Sequence, residues 1–140
     1  MTAQEIIDAG SYMVLATADA DGVPWASPVW FAPDGYTRFL WVSREDTRHS
    51  RNLAVRPQLS IVIFDSRTPI GTGEGVYMDA VAEQIADPAA VEVFSRRSVA
   101  QGGSEWTLAD VRPPAELRLC RATASEQWHG RSDRRTPVTF

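Results

Sequence analysis

The stretch Arg44–Leu53, "REDTRHSRNL", concentrates side chains that can do chemistry. Arg44, Arg48 and Arg51 fall within eight residues, together with Thr47, His49 and Ser50. Asp46 suits a helix N-cap and Pro57 blocks continuation, so a short helix is expected over "EDTRHSRNLAV". The free N–H groups of its first turn and the positive end of its dipole would face an anion. Arg48 and Arg51 are three apart and share a helix face. Their planar guanidinium groups match phosphate oxygens in pairs, and Ser43 just upstream adds a hydroxyl. The bland alternative is a solvated helix face with Glu45 and Asp46 neutralising the cations. What favours a site is the aromatic series before it: Trp25, Trp30, Phe31, Phe39 and Trp41. Exposed aromatics beside an anion site suit a planar ring that carries a phosphate tail.

Other chemistries find less support. The segment "GTGEG", Gly71–Gly75, lacks the following helix that a dinucleotide-binding turn needs, and is expected to be a hairpin loop. The two histidines, His49 and His129, and the single cysteine, Cys120, match no structural zinc spacing, so no metal site is expected. No nucleophile elbow accompanies them for a serine triad. All 14 basic residues are Arg, which rules out a Schiff-base or P-loop lysine. The net charge of -4 argues against general nucleic-acid binding and against adsorption to anionic lipid. No apolar run approaches the roughly 20 residues of a membrane-spanning helix. The N-terminus, with Gln4, Glu5 and Asp8, does not resemble a signal peptide. With one cysteine, set in the alternating run "LRLCRATA", a reducing cytoplasm is the expected compartment and Cys120 a strand residue.

The elements that must position the Arg run follow from periodicity and punctuation. Residues 2–10 read as a short helix with Ile6 and Ile7 inward and Gly10 as its stop. "SYMVLATA" is a strand, "DADG" a tight turn and "VPWASPVWF" a second strand, with Pro24 and Pro28 placing parts of it at an edge. "APDG" reads as a turn. "YTRFLWVS" is a third strand, with Phe39, Trp41 and Ser43 alternating against Leu40 and Val42. "QLSIVIFD" is a nearly continuous apolar strand, expected to be buried on both faces. "VYMDAVAEQIA" alternates as a strand, and "DPAAVEVFSRRSVA" is a helix with Asp87 as N-cap and Pro88 in its first turn. "QGGSEWTLADVRPP" is mostly loop, "AELRLCRATASEQW" a long strand, and "TPVTF" a tail able to close the sheet. The whole, residues 1–140, is expected to form a single domain, mainly β (α+β). Its architecture is an antiparallel barrel with short peripheral helices.

The ordered set "VLATADADGVPWASPVWFAPDG…FLWVSREDTRHSRNLAVRPQLSIVIFD" resembles the pyridoxamine 5'-phosphate oxidase-like family of FMN-binding split barrels. The resemblance is good over roughly residues 5–86 and weak in the tail. It implies a six-stranded antiparallel split β-barrel and a homodimer with the cofactor FMN at the subunit interface. By position, it lays Pro28, Val29, Trp30 and Phe31 along the flavin ring. It sets Ser43, Arg48 and His49 on the phosphate, helped by Thr47 or Arg51. It also carries over Trp128 and Arg134 from the tail. Where the family commonly has Lys, this chain has His49, whose pKa beside a phosphate dianion is expected to rise. Genuine pyridoxamine-phosphate oxidases differ at several positions. Their second strand carries Arg and Lys where this chain has Ser27 and Ala32. Their ring-contacting Gln falls at Gly75, and Thr136 stands where their tail carries His. Synthesis of pyridoxal phosphate is therefore not expected. The resemblance implies a flavin-dependent oxidoreductase acting on a small molecule, with no assignable catalytic residue. A deazaflavin-dependent reductase and a non-enzymatic flavin- or haem-binding module are the alternatives, with His129 or His49 as the haem ligand.

Overall fold

The computed structural model describes residues 1–131 and 133–140. Helix α1, Ala3–Ala9, begins at a capping box: Thr2 Oγ1 accepts from Glu5 N–H at 3.1 Å, and Glu5 accepts from Thr2 N–H at 3.0 Å. It stops at Gly10, where an added Cβ would lie 3.1 Å from both Phe31 and Ile63, so a side chain there would require these core residues to shift. Strands β1, Tyr12–Ala18, and β2, Pro24–Trp30, form a hairpin that pairs Tyr12 with Trp30 and Ala18 with Pro24. Its turn is built by Asp19, whose carboxylate accepts from the N–H groups of Asp21 and Val23, both at 2.9 Å.

Phe31 then breaks the strand, and the chain resumes as β3, Ala32–Asp34, paired with β4, Arg38–Arg44. The expected "APDG" turn is thus a short strand, and the reversal follows at Gly35, whose φ of 72° favours glycine. Strands β5, Gln58–Phe64, β6, Gly75–Ile85, β7, Leu117–Arg131, and β8, Arg134–Val138, complete one antiparallel sheet. The strand order is β2-β1-β5-β6-β7-β4-β3, with β8 added beside β7. Because β2 and β3 stand at opposite ends of this order yet are separated only by Phe31, the sheet curls until one kinked strand joins its two edges. The result is a half-open barrel, split where β2 faces β4 without pairing to it. Among the described residues eight strands are present instead of six. The extra two are β3, which continues β2, and β8, the tail, which pairs Gln127 with Val138.

The core has two parts. Met13, Leu15, Phe31, Phe39, Trp41, Ile61 and Ile63 fill the barrel. Outside it, helix α3, Pro88–Ala100, packs Ala90, Val91 and Phe94 over Ala32, Leu40 and Leu119. Asp87 caps α3 by accepting from Ala89 N–H at 3.0 Å, and proline sits in its first turn, as its sequence specifies. A short 3-10 turn, Leu108–Val111, interrupts the loop that follows. One expectation is corrected. Strand β5 is not buried on both faces: Leu59, Ile61 and Ile63 are buried, while Gln58, Ser60 and Phe64 are exposed. Strand β4 does have two covered faces: Phe39 and Trp41 point into the barrel while Leu40 meets α3. Cys120 is buried on β7, and burial pushes its thiol up to about 12, which makes it inert. No helix among the described residues is long and apolar enough to cross a membrane.

Candidate functional site

Helix α2, Arg48–Val55, closes the split end of the barrel. Its N-cap is Thr47 and not Asp46: Thr47 Oγ1 accepts from Ser50 N–H at 3.2 Å. Asp46 is drawn aside by Arg44, whose Nε lies 3.2 Å from its carboxylate, and that hydrogen bond holds the Asp46 carboxyl below its usual range. Arg44 also donates to Glu116 at 2.7 Å. Two carboxylates therefore neutralise the first arginine of the run. The other two differ. The Arg51 guanidinium donates to the Asp46 backbone carbonyl at 2.6 Å. That of Arg48 lies over the Trp25 ring, 4.2 Å from its centroid. Neither forms an ion pair with a carboxylate among the described residues. Trp25 is 40% exposed, so the aromatic that borders the cationic helix start is Trp25.

Behind the arginines, two polar bridges tie α2 to the sheet. His49 is only 8% exposed and sits between two hydroxyls, with Ser27 Oγ 3.1 Å from Nδ1 and Ser43 Oγ 2.9 Å from Nε2. Ser27 belongs to β2 and Ser43 to β4, so the imidazole spans the two lips of the split. Burial holds its pKa below the ordinary value of a histidine. One turn on, Asn52 donates to Thr17 Oγ1 on β1 at 3.0 Å, again with both residues buried.

The run Pro28–Phe31 does not present one surface, because successive strand residues face opposite ways. Val29 and Phe31 are buried in the barrel. Trp30 points outward to α3, edge-on to Phe94 at 5.1 Å, with its indole N–H donating to Gln101 at 2.7 Å. Pro28 alone of the four is exposed. The tail residues lie elsewhere. Trp128, half-buried on β7, pairs across the sheet with Tyr77. Together with Val14, Ala16, Ser60 and Val62 these two line a hollow on the outer face of the sheet. Arg134 is exposed and outside this lining. Its neighbour Arg135 reaches the hollow, stacked 3.9 Å over the Tyr77 ring.

Sequence reasoning missed Ser27, Thr17, Asn52, Tyr77 and Arg135. The strand alternation that places Val29 inward also places Ser27 and Trp25 on that side, so Ser27 was within reach of the pattern. The others depend on which elements meet. At Gly75, where oxidases of the resembled family carry a Gln, a Cβ would lie 3.3 Å from the Tyr77 ring, which already fills that space.

A curled antiparallel barrel, a cationic helix start at its split and the motif order along the chain agree with one family comparison. The family model described as pyridoxamine 5'-phosphate oxidase matches residues 2–129. The chain belongs to the pyridoxamine 5'-phosphate oxidase-like split-barrel family. Solved structures agree on the fold. The haem storage protein HutZ from Vibrio cholerae is 21% identical with a TM-score of 0.70, and 91% of each chain is covered. A haem-binding protein from Mycobacterium smegmatis is 21% identical with a TM-score of 0.76; the match covers 99% of this chain but 58% of that one. An F420 reductase is 19% identical with a TM-score of 0.67, covering 91% of this chain and 96% of that one. No curated protein matches. These neighbours are named for haem and for F420, so the fold alone does not name the ligand.

Proposed function

We propose that this split-barrel protein binds FMN and serves, as a homodimer, as a flavin-dependent oxidoreductase for a small molecule. The observation that carries this is the start of α2. Arg48 and Arg51 stand there without carboxylate partners among the described residues, beside the Thr47-capped first turn, with Arg48 over the exposed ring of Trp25. A phosphate ester fits such a donor set: two guanidinium forks and helix N–H groups, with Ser43 and His49 bonded to each other behind them. Trp25 would border the ring system, while the exposed Pro28 shows on the opposite face of the strand. Trp128 belongs with the outer hollow, which Arg135 and not Arg134 reaches. FMN, when bound, supplies hydride transfer; the chain's own residues hold and orient it. The outer sheet face leaves Tyr12 62% exposed and Phe64 51% exposed, an apolar surface that a second copy would cover.

The visible spectrum of purified protein tests this directly. Flavin bands at roughly 370 and 450 nm are expected. Added FMN at about 100 times its dissociation constant should stabilise the fold by about 2.7 kcal/mol. Colourless protein whose melting ignores FMN would sink the proposal, and a monomer by light scattering would remove the dimer. A deazaflavin cofactor would need further cations, and Arg44, already paired with Asp46 and Glu116, does not offer one. Haem binding has one observation in its favour. His129 Nε2 is buried without a hydrogen-bond partner, 3.7 Å from Glu74, whereas both nitrogens of His49 are engaged. A Soret band lost in His129→Ala would identify haem. The crowding of Gly75 by Tyr77 gives no support to pyridoxal phosphate synthesis.

A further inference from the structure

We infer that His49 is a neutral strut across the barrel split, a positioning residue that fixes the start of α2, and not a ligand of the phosphate. The inference rests on the proposed phosphate end of the cleft and assigns the work there differently.

Three observations support it. First, both ring nitrogens are already satisfied, Nδ1 by Ser27 on β2 and Nε2 by Ser43 on β4. A neutral imidazole has one donor and one acceptor, and each serine hydroxyl can play either part. The pair of bonds is therefore complete without a charge. Second, these bonds lie where the two strands face each other without backbone pairing, so the imidazole replaces missing ladder bonds across the split. Third, the groups facing His49 from the packed elements are uncharged: Ser27 from β2, Ser43 from β4, and the Asn52–Thr17 bridge alongside from β1. The charged groups of its own helix turn away, Arg48 to Trp25 and Arg51 to the Asp46 carbonyl. A Lys at this position would bring an ammonium with three donors and no acceptor into a space 8% exposed. His in place of the usual Lys thus closes the inner donor set on itself. The anion is left to Arg48, Arg51 and the helix N–H groups outside it.

Nitrogen-detected NMR of the histidine rings tests this. Only His49 and His129 give signals, and His129→Gln assigns them. At pH 7 the expected His49 spectrum is one neutral tautomer with a ring N–H slow to exchange. Ser27→Ala and Ser43→Ala should each remove that protection, and added FMN or inorganic phosphate should leave the ring shifts in place. An imidazolium spectrum for His49 on adding FMN would overturn the inference, as would two freely exchanging tautomers without it. His49→Lys supplies a second measurement: a lower melting temperature with no gain in FMN affinity is expected. Tighter FMN binding at an unchanged melting temperature would make residue 49 a phosphate ligand. If the protein binds no FMN at all, the FMN proposal fails, while the ligand-free ring spectrum and the serine variants still decide the strut.

Discussion

Helices α2 and α3 both lie against the sheet, yet they are held by opposite means. Helix α3 buries Ala90, Val91 and Phe94, and Phe94 sits edge-on between Trp30 at 5.1 Å and Trp106 at 5.4 Å. Helix α2 buries His49 and Asn52, each through hydrogen bonds to strand side chains. Apolar packing is strong and weakly directional, because it depends on area removed from water. Hydrogen bonds add less net stability but fix distance and orientation. A helix that only closes the core needs the first. A helix whose start must hold arginines at a defined place is better served by the second.

Mutations can break or sharpen this contrast. The largest effect is expected on the apolar side: Phe94→Ala should cost about 3–5 kcal/mol in denaturant unfolding. Among molecules that remain folded, FMN affinity should not change, because α3 does not touch the arginine run. Asn52→Ala leaves the acceptor side of the buried Thr17 hydroxyl unsatisfied and should cost about 1–3 kcal/mol, with FMN affinity falling as α2 loses its anchor. An Asn52 variant that loses stability without losing affinity would erase the distinction between the helices.

Acid should expose the polar seam and spare the apolar one. Burial keeps the folded His49 pKa below the unfolded value of about 6.5, so the unfolded chain takes the proton more readily. Its contribution to stability is then present above about pH 6.5 and is lost as pH falls through the folded pKa. Melting temperature followed from pH 8 to pH 5 should drop further in the parent than in His49→Gln, which cannot titrate. The smallest effect on stability is expected at the helix start. Arg48→Ala removes an exposed contact on Trp25 and should change stability by about 0.5–1 kcal/mol. FMN affinity should nonetheless fall by about tenfold or more, the loss of a charged hydrogen bond worth about 1.5–3 kcal/mol.

Much of the fold is legible in the residues. The Thr2–Glu5 box, the Asp87–Pro88 start and the alternation in β4 and β6 each specify a local structure that is present. Strand β5 misleads because its second half, Ile61–Phe64, is apolar without a break, yet only alternate residues are buried and Phe64 stays exposed. Asp46 misleads because it is as good a cap as Thr47 until Arg44 claims it.

By itself the sequence determined the antiparallel β character, the family and the presence of a cation cluster after the strand that ends at Ser43. These depend on periodicity, turn chemistry and motif order, all properties of neighbours along the chain. Only the tertiary structure decided which arginines are free and which are neutralised. It alone brought Ser27 and Ser43 to either side of His49, and covered Trp30 with α3 while leaving Pro28 exposed. Those outcomes depend on contacts between residues far apart in sequence. A side chain's charge, protonation and accessibility are set by what the fold packs against it, and no local pattern records that.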